Sequence, residues 1–183
     1  IPFDKVSMDI VGPLRVTANN NRYILSIVDH ATRWAECYAI PNHTASTIAT
    51  CFSEFISRYG IPKSILHDNG TDFLSDLFSI VVDFYGIHQK HTTVLHPQSN
   101  SACERFHRTL KSILSMYCNE FQGNWDKALP HVLFSYREMI VSEFGFSPYE
   151  LLFGCKPRGP LTLLFDDWWE SGGTEASQPV VDY

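Results

Sequence analysis

Three carboxylates carry the chemical signal in this chain: Asp9, Asp68 and Glu104, with 35 residues between the last two. Asp9 lies near the end of an apolar, strand-like run, Lys5-Val6-Ser7-Met8-Asp9-Ile10. Asp68 follows the short run Ser64-Ile65-Leu66-His67 and precedes the turn signal Asn69-Gly70. Glu104 stands at the start of an amphipathic helix pattern. A strand end, a strand-to-loop junction and a helix start can converge on one point. Hard divalent cations such as Mg²⁺ select oxygen ligands of this kind. Two such ions, about 3.5–4 Å apart, clamp the attacking and leaving oxygens of a phosphodiester displacement.

Each acid has a plainer reading. Asp9 alone reads as a strand-terminal polar residue, and Asp-Asn-Gly at 68–70 is ordinary turn chemistry. Asn100 or Ser101 ahead of Glu104 resembles a helix-capping box. Against that, Glu104, Arg108 and Lys111 are spaced four and three apart, so one helix face presents a carboxylate and two cations, with Arg105 close by. A metal-bound phosphate suits such a face. As a solvated ion pair alone it is worth only about 0.3–0.5 kcal/mol. Asp29 ends a strand-like run and is the strongest rival carboxylate, ahead of Asp72 and Asp76; it is expected to be structural.

The elements that must position these groups are legible as periodicities. Lys5–Ile10, Tyr23–Asp29 and Trp34–Ile40 read as three strands with short connections, hence antiparallel neighbours. Thr44 reads as the N-cap of a helix over Ala45–Tyr59, which has apolar residues at Ile48, Ala49, Phe52, Phe55 and Ile56 and ends at Gly60-Ile61-Pro62. Ser64–His67 is a short buried strand, Asp72–Tyr85 a second helix and His88–Thr92 a fifth strand. Ala102–Asn119 has an apolar stripe at Phe106, Leu110, Ile113, Leu114 and Tyr117. Trp125–Ser142 is expected to be helical with an early interruption at Pro130, and Ser147-Pro148 opens a short helix to Phe153. Three strands followed by alternating strands and helices predict an α/β domain: a five-stranded mixed sheet flanked by helices. That domain covers residues 1–158, and 159–183 reads as an acidic linker or tail with an odd Trp168-Trp169 pair.

Composition bounds the function. At 183 residues, with 44% hydrophobic and 14% aromatic content, the chain suits one folded domain, and its apolar runs are too short for a membrane span. The chain opens on Ile1 and shows no charged-then-apolar leader, so it reads as an excised fragment with nothing that indicates secretion. The five cysteines, Cys37, Cys51, Cys103, Cys118 and Cys155, form no Cys-x-x-Cys pair, which argues against a structural zinc site or disulfide framework and for a reducing compartment. The net charge of −6 is unevenly spread: residues 86–137 hold six Lys/Arg against three acids, whereas 159–183 hold five acids and no Lys/Arg. Phosphate binding follows local positive charge rather than the total. A modestly charged core predicts weak, salt-sensitive DNA affinity.

The segments His67-Asp68-Asn69-Gly70-Thr71-Asp72-Phe73 and His96-Pro97-Gln98-Ser99-Asn100-Ser101-Ala102-Cys103-Glu104-Arg105 resemble the integrase catalytic core of gypsy-type LTR retrotransposons, relatives of retroviruses. The resemblance continues through Arg108-Thr109-Leu110-Lys111 and resumes at Trp125 and Ser147-Pro148-Tyr149-Glu150-Leu151-Leu152-Phe153-Gly154. It implies an RNase H-like fold and a D,D-35-E site of Asp9, Asp68 and Glu104 as catalytic metal ligands. It also implies two Mg²⁺ ions (or Mn²⁺) when DNA is bound, and a polynucleotidyl transferase that trims element 3′ ends and joins them to target DNA. Gln98, Ser99 and Asn100 would contact DNA near the site, together with Arg105, Arg108 and Lys111. Homodimers or higher oligomers, double-stranded DNA as partner, no membrane, and a nuclear location after a cytoplasmic stage are further implications. Many retroelement integrases carry a His-His-Cys-Cys zinc domain upstream of the core, so this stretch alone is not expected to give full activity. Three residues depart from the family pattern: Ser101 where Gly is common, and His107 and Arg137 where Asn is common. They leave room for a domesticated host copy that keeps the fold as a DNA- or protein-interaction module without catalysis. A cut-and-paste transposase or RNase H-like nuclease is a third reading, disfavoured by the 125–154 segment. His67 and His96 flank the motifs and are expected to be structural, as are Trp34 and Trp125.

Overall fold

A computed structural model describes residues 1–67, 76–91, 101–120 and 123–159. The elements in chain order are β1 (Lys5–Val11), β2 (Tyr23–Asp29), β3 (Ala35–Ile40), α1 (Ala45–Tyr59), β4 (Ser64–His67), α2 (Asp76–Phe84), β5 (His88–His91), α3 (Ser101–Glu120), α4 (Trp125–Glu138) and α5 (Pro148–Phe153). The strands form one mixed sheet in the order β3-β2-β1-β4-β5. β1, β2 and β3 pair antiparallel, while β4 runs parallel to β1 and β5 parallel to β4. The tail from residue 160, with Trp168-Trp169, lies outside the described residues.

Side-chain alternation divides the sheet into two apolar faces. Val6 and Met8 of β1 and Leu25 and Ile27 of β2 pack against Ile48, Phe52 and Phe55 of α1. Burying each of these large side chains stabilises by about 1.5–3 kcal/mol. The opposite face carries Val11, Ile24, Val28 and Ala35 beneath Cys103, Phe106, Leu110 and Leu114 of α3 and Trp125, Ala128, Leu129, Val132 and Leu133 of α4. The core strands β1 and β2 are therefore covered on both sides, as in other sheets that read as nearly continuous apolar runs.

Helix ends follow their local chemistry. Thr44 accepts the Thr47 N–H and caps α1, and Ser147 with Glu150 forms a reciprocal capping box at α5. α5 closes on Gly154 at φ 70°, a left-handed conformation that glycine adopts without a Cβ penalty. Two expectations for α4 need correction. The helix runs through Pro130 without interruption, because Trp125, Ala128, Leu129, Val132 and Leu133 are buried on both sides of the proline. Their packing offsets the roughly 3 kcal/mol an interior proline costs. The helix also stops at Glu138 rather than Ser142: Met139 is extended, and Val141 and Phe146 pair across a tight return. Glu143 in that return is drawn to Arg33 at 3.0 Å and Arg105 at 2.9 Å.

Two polar clusters tie α4 to the sheet. Glu36 Oε1 accepts from Arg137 at 2.5 Å and Trp34 Nε1 at 3.2 Å, and the Arg137 guanidinium stacks 4.0 Å over Trp34. At the other end, Asp126 accepts from Thr17, Asn19 and Asn21 at 2.9–3.0 Å, locking the β1–β2 connection to the start of α4. Burial alone would raise the Asp126 pKa, but these bonds and the Lys127 N–H outweigh it and hold the carboxyl below its usual range. A depressed carboxyl pKa contributes stability that is present above the unfolded-state value and lost as pH falls through the folded one. Asp126→Ala removes these bonds, and because the carboxyl is largely open to solvent the loss of unfolding free energy at pH 7 should be about 1 kcal/mol. The gap between variant and wild type should shrink as urea titrations move below about pH 4.

Candidate active site

The pleat of β1 decides which face Asp9 serves. Val6 and Met8 face α1, so Ser7, Asp9 and Val11 face α3 and α4. Asp9 pairs directly with Ser26 on β2, whose neighbours Ile24 and Val28 face the same way. A one-residue slip in this register would bury the Asp9 carboxylate against Phe52 and Phe55, which fixes the register strongly. The Asp9 carboxylate is partly open, with a side-chain exposure of 26%, and its Oδ1 accepts the Ile10 N–H at 2.7 Å.

α3 brings the second acid. Cys103 is fully buried with its sulfur 4.0 Å from Ser26 Oγ, and His107 one turn later stands with Nδ1 3.3 Å from Asp9 Oδ2 and Nε2 2.7 Å from Ser26 Oγ. Glu104 lies between these two anchors and is exposed. The first turns of α3 are thus pinned at Asp9, and Glu104 is delivered to the same end of β1. Arg108 and Lys111 are exposed further along α3, whereas Arg105 is paired with Glu143.

The third acid, Asp68, and Gln98, Ser99, Asn100 and His96 lie outside the described residues, so the structure brings together only Asp9 and the start of α3. Asp68 follows His67 directly in the chain. His67 ends β4, which runs parallel to β1 with Ser7 opposite Leu66. His67 is buried, with Nε2 3.2 Å from Gln89 Oε1, and has the structural place expected of it. Asp29 is likewise structural: its carboxylate accepts the Phe3 N–H, the Thr32 N–H and the Thr32 hydroxyl. Asp72 and the side chain of Asp76 lie outside the description. Trp34 and Trp125 are core residues.

His107, Ser26 and Cys103 are the neighbours of Asp9 that pattern reading did not single out as a unit. The available signal was the departure from Asn at 107, together with the Cys103/His107 spacing of four. Burial first, and then the nearby Lys111 cation, pushes the His107 pKa down to about 4. The ring is therefore neutral at physiological pH. Two proton arrangements suit it: Nδ1–H donates to Asp9 Oδ2 while Ser26 Oγ–H donates to Nε2, or Nε2–H donates to Ser26 Oγ, which then donates to the Asp9 carbonyl 3.1 Å away.

The chain belongs to the integrase core domain family, whose model matches residues 1–97. It is 29% identical over 153 residues to the "Retrovirus-related Pol polyprotein from transposon 412" of Drosophila melanogaster, covering 83% of this chain and 12% of that protein. It is 33% identical over 147 residues to the Gag-Pol polyprotein of Feline leukemia virus, covering 79% of this chain and 8% of the polyprotein. The chain thus spans a small part of these relatives. Its fold is that of the HTLV-2 integrase catalytic core, an RNase H-like domain solved in complex with magnesium: TM-score 0.69 at 19% identity, over 82% of this chain and 97% of that one.

An imidazole whose folded pKa is depressed contributes stability above its unfolded value, and this is lost as pH falls from there toward the folded value. The His107 resonance should titrate near pH 4 by NMR rather than near 6.5. Stability should fall between those limits, less steeply in His107→Asn. A midpoint near 6.5 would contradict the buried, neutral ring.

Proposed function

We propose that this chain is the catalytic core of a retroelement integrase, which processes element DNA 3′ ends and joins them to target DNA. The observation that carries this reading is the docking of α3 on β1, with Cys103 and His107 holding the Glu104 turn against Asp9. Asp9, Asp68 and Glu104 would hold two Mg²⁺ ions, with Mn²⁺ as substitute. The donor chemistry fits: Asp9 offers a partly open carboxylate and Glu104 an exposed one, both hard oxygen donors. When bound, such ions activate the attacking water or 3′-hydroxyl and stabilise the departing oxygen.

The protein supplies placement. Asp9 is fixed by strand register, Glu104 by the buried side of its helix, and no side-chain nucleophile is required. Arg108 and Lys111, exposed on α3, would bind DNA phosphates beside the site, with Gln98, Ser99, Asn100 and Arg105 as further DNA contacts. Residues 1–158 would form the core and 159–183 a linker to flanking segments. A homodimer or higher oligomer acting on double-stranded DNA in the nucleus completes the proposal. No helix among the described residues is long and apolar enough to cross a membrane.

A pre-branched DNA substrate tests the chemistry with the least demand on flanking domains. In Mg²⁺ or Mn²⁺ the wild-type chain should resolve it, and Asp9→Asn, Asp68→Asn and Glu104→Gln should each lose roughly a thousandfold or more in rate while keeping the fold. Undiminished, metal-dependent resolution by Asp68→Asn would refute this assignment.

A further inference from the structure

The helix that carries Glu104 also brings two softer donors to Asp9. Cys103 and His107 are four residues apart on α3, so they share a face. Asp9 Oδ2 is 3.3 Å from His107 Nδ1, and one donor atom from each of the three residues lies within 4.8 Å of the other two; Cys103 Sγ also lies 3.7 Å from the ring's second nitrogen, Nε2, which faces Ser26. Carboxylate, imidazole and thiol together are unsuited to Mg²⁺, which takes oxygen ligands in near-ideal octahedra. They are the donor set of a borderline-soft ion, with tetrahedral bonds of about 2.0–2.3 Å.

We propose that Asp9, Cys103 and His107 form a second metal site, which takes Zn²⁺ or Co²⁺ and is chemically distinct from the oxygen site that Asp9 shares with Glu104. Tetrahedral bonds of that length imply donor–donor edges of about 3.3–3.8 Å. The Asp9–His107 edge is already 3.3 Å, and since every donor pair lies within 4.8 Å, closing the other edges takes an inward shift of at most about 1.5 Å.

The surroundings orient the ring as a ligand. Ser26 Oγ, 2.7 Å from His107 Nε2, can accept that N–H and pass its own proton to the Asp9 carbonyl, which leaves the Nδ1 lone pair facing Asp9 Oδ2. Without a cation that lone pair and the carboxylate repel, and the other tautomer is preferred. A cation between them reverses the preference, so Ser26 holds the ring in either state, as an outer partner of a ligating histidine does. Asp9 and His107 are 26% and 12% exposed, so solvent can reach the site and supply a fourth ligand, while Cys103 closes its floor. Binding converts the Cys103 thiol to a thiolate and releases one proton to solvent. No electron transfer is involved.

The absence of a Cys-x-x-Cys pair argued against zinc, but this site joins a helical Cys-x-x-x-His pair to an aspartate from a distant strand. One consequence rests on the catalytic reading of Asp9: Zn²⁺ should inhibit DNA joining by occupying Asp9 Oδ2. The site itself does not depend on that reading.

Cobalt is the probe. The full chain, reduced with a non-chelating phosphine, is titrated with Co²⁺ and followed by absorption. A thiolate-to-cobalt charge-transfer band in the near ultraviolet and tetrahedral ligand-field bands should saturate at one ion per chain and be displaced by Zn²⁺. Cys103→Ser should abolish the charge-transfer band, and His107→Asn should weaken Co²⁺ binding by about tenfold or more. Replacing the exposed thiol, Cys155→Ser, should change neither. His107→Asn decides the matter alone if Cys103→Ser does not fold. A charge-transfer band that survives Cys103→Ser, Co²⁺ affinity unchanged in His107→Asn, or no such band in the folded wild type would overturn the site. A cobalt spectrum as expected in a chain that fails to resolve branched DNA would leave this site standing and count against the integrase chemistry.

Discussion

The contact on which the arrangement depends is the docking of the first turns of α3 onto the β1–β2 pair. Cys103, Phe106 and Leu110 are buried against Ile24 and Val28, and His107 reaches both Ser26 and Asp9. Because one helical turn spans 3.6 residues, fixing 103, 106, 107 and 110 inward leaves 104, 108 and 111 outward. Glu104 is therefore placed by its neighbours rather than by its own bonds. The apolar stripe and the polar face of α3 are two results of a single packing event.

That event places chemically opposed donors side by side. In the proposed catalytic core Asp9 would share a hard ion with Glu104, and the same carboxylate stands near an imidazole and a thiol. Strand register gives Asp9 one position, while helix geometry gives it two kinds of neighbour. The departure from asparagine at 107 is what creates the choice. An asparagine there could still hydrogen-bond to Asp9 but would give a soft cation no ring nitrogen. The wider frame is rigid enough to hold this arrangement, since Asp126 and Glu36 fasten both ends of α4 to the loops and edge of the sheet.

Much of the frame was legible in the sequence because its signals are local. α1 was readable over Ala45–Tyr59 with its Thr44 cap, since spacing and capping lie within a few residues. The mixed five-stranded sheet followed from short β1–β3 connections and the later strand and helix alternation. The overrun of α4 to Ser142 came from apolar Met139, Ile140 and Val141 continuing the pattern, while the restraint that turns the chain is Glu143 pairing with Arg33, 110 positions away. Pro130 misled for the same reason, because the packing that keeps it helical is tertiary. The proposed ligands Asp9 and Glu104 stand out in the sequence through their motifs. The Ser26–His107 link joins residues 81 positions apart and leaves no local trace.

The central claim is that Asp9 and Glu104 are ligands of one hard-metal centre at the start of α3. Crystals of the chain equilibrated with Mn²⁺ and measured at the manganese absorption edge test it most directly. The account predicts an anomalous peak within bonding distance of carboxylate oxygens from both Asp9 and Glu104, lost in Asp9→Asn crystals. Saturating Mn²⁺ with no peak there, or a peak touching Asp9 while Glu104 points to solvent, would contradict it.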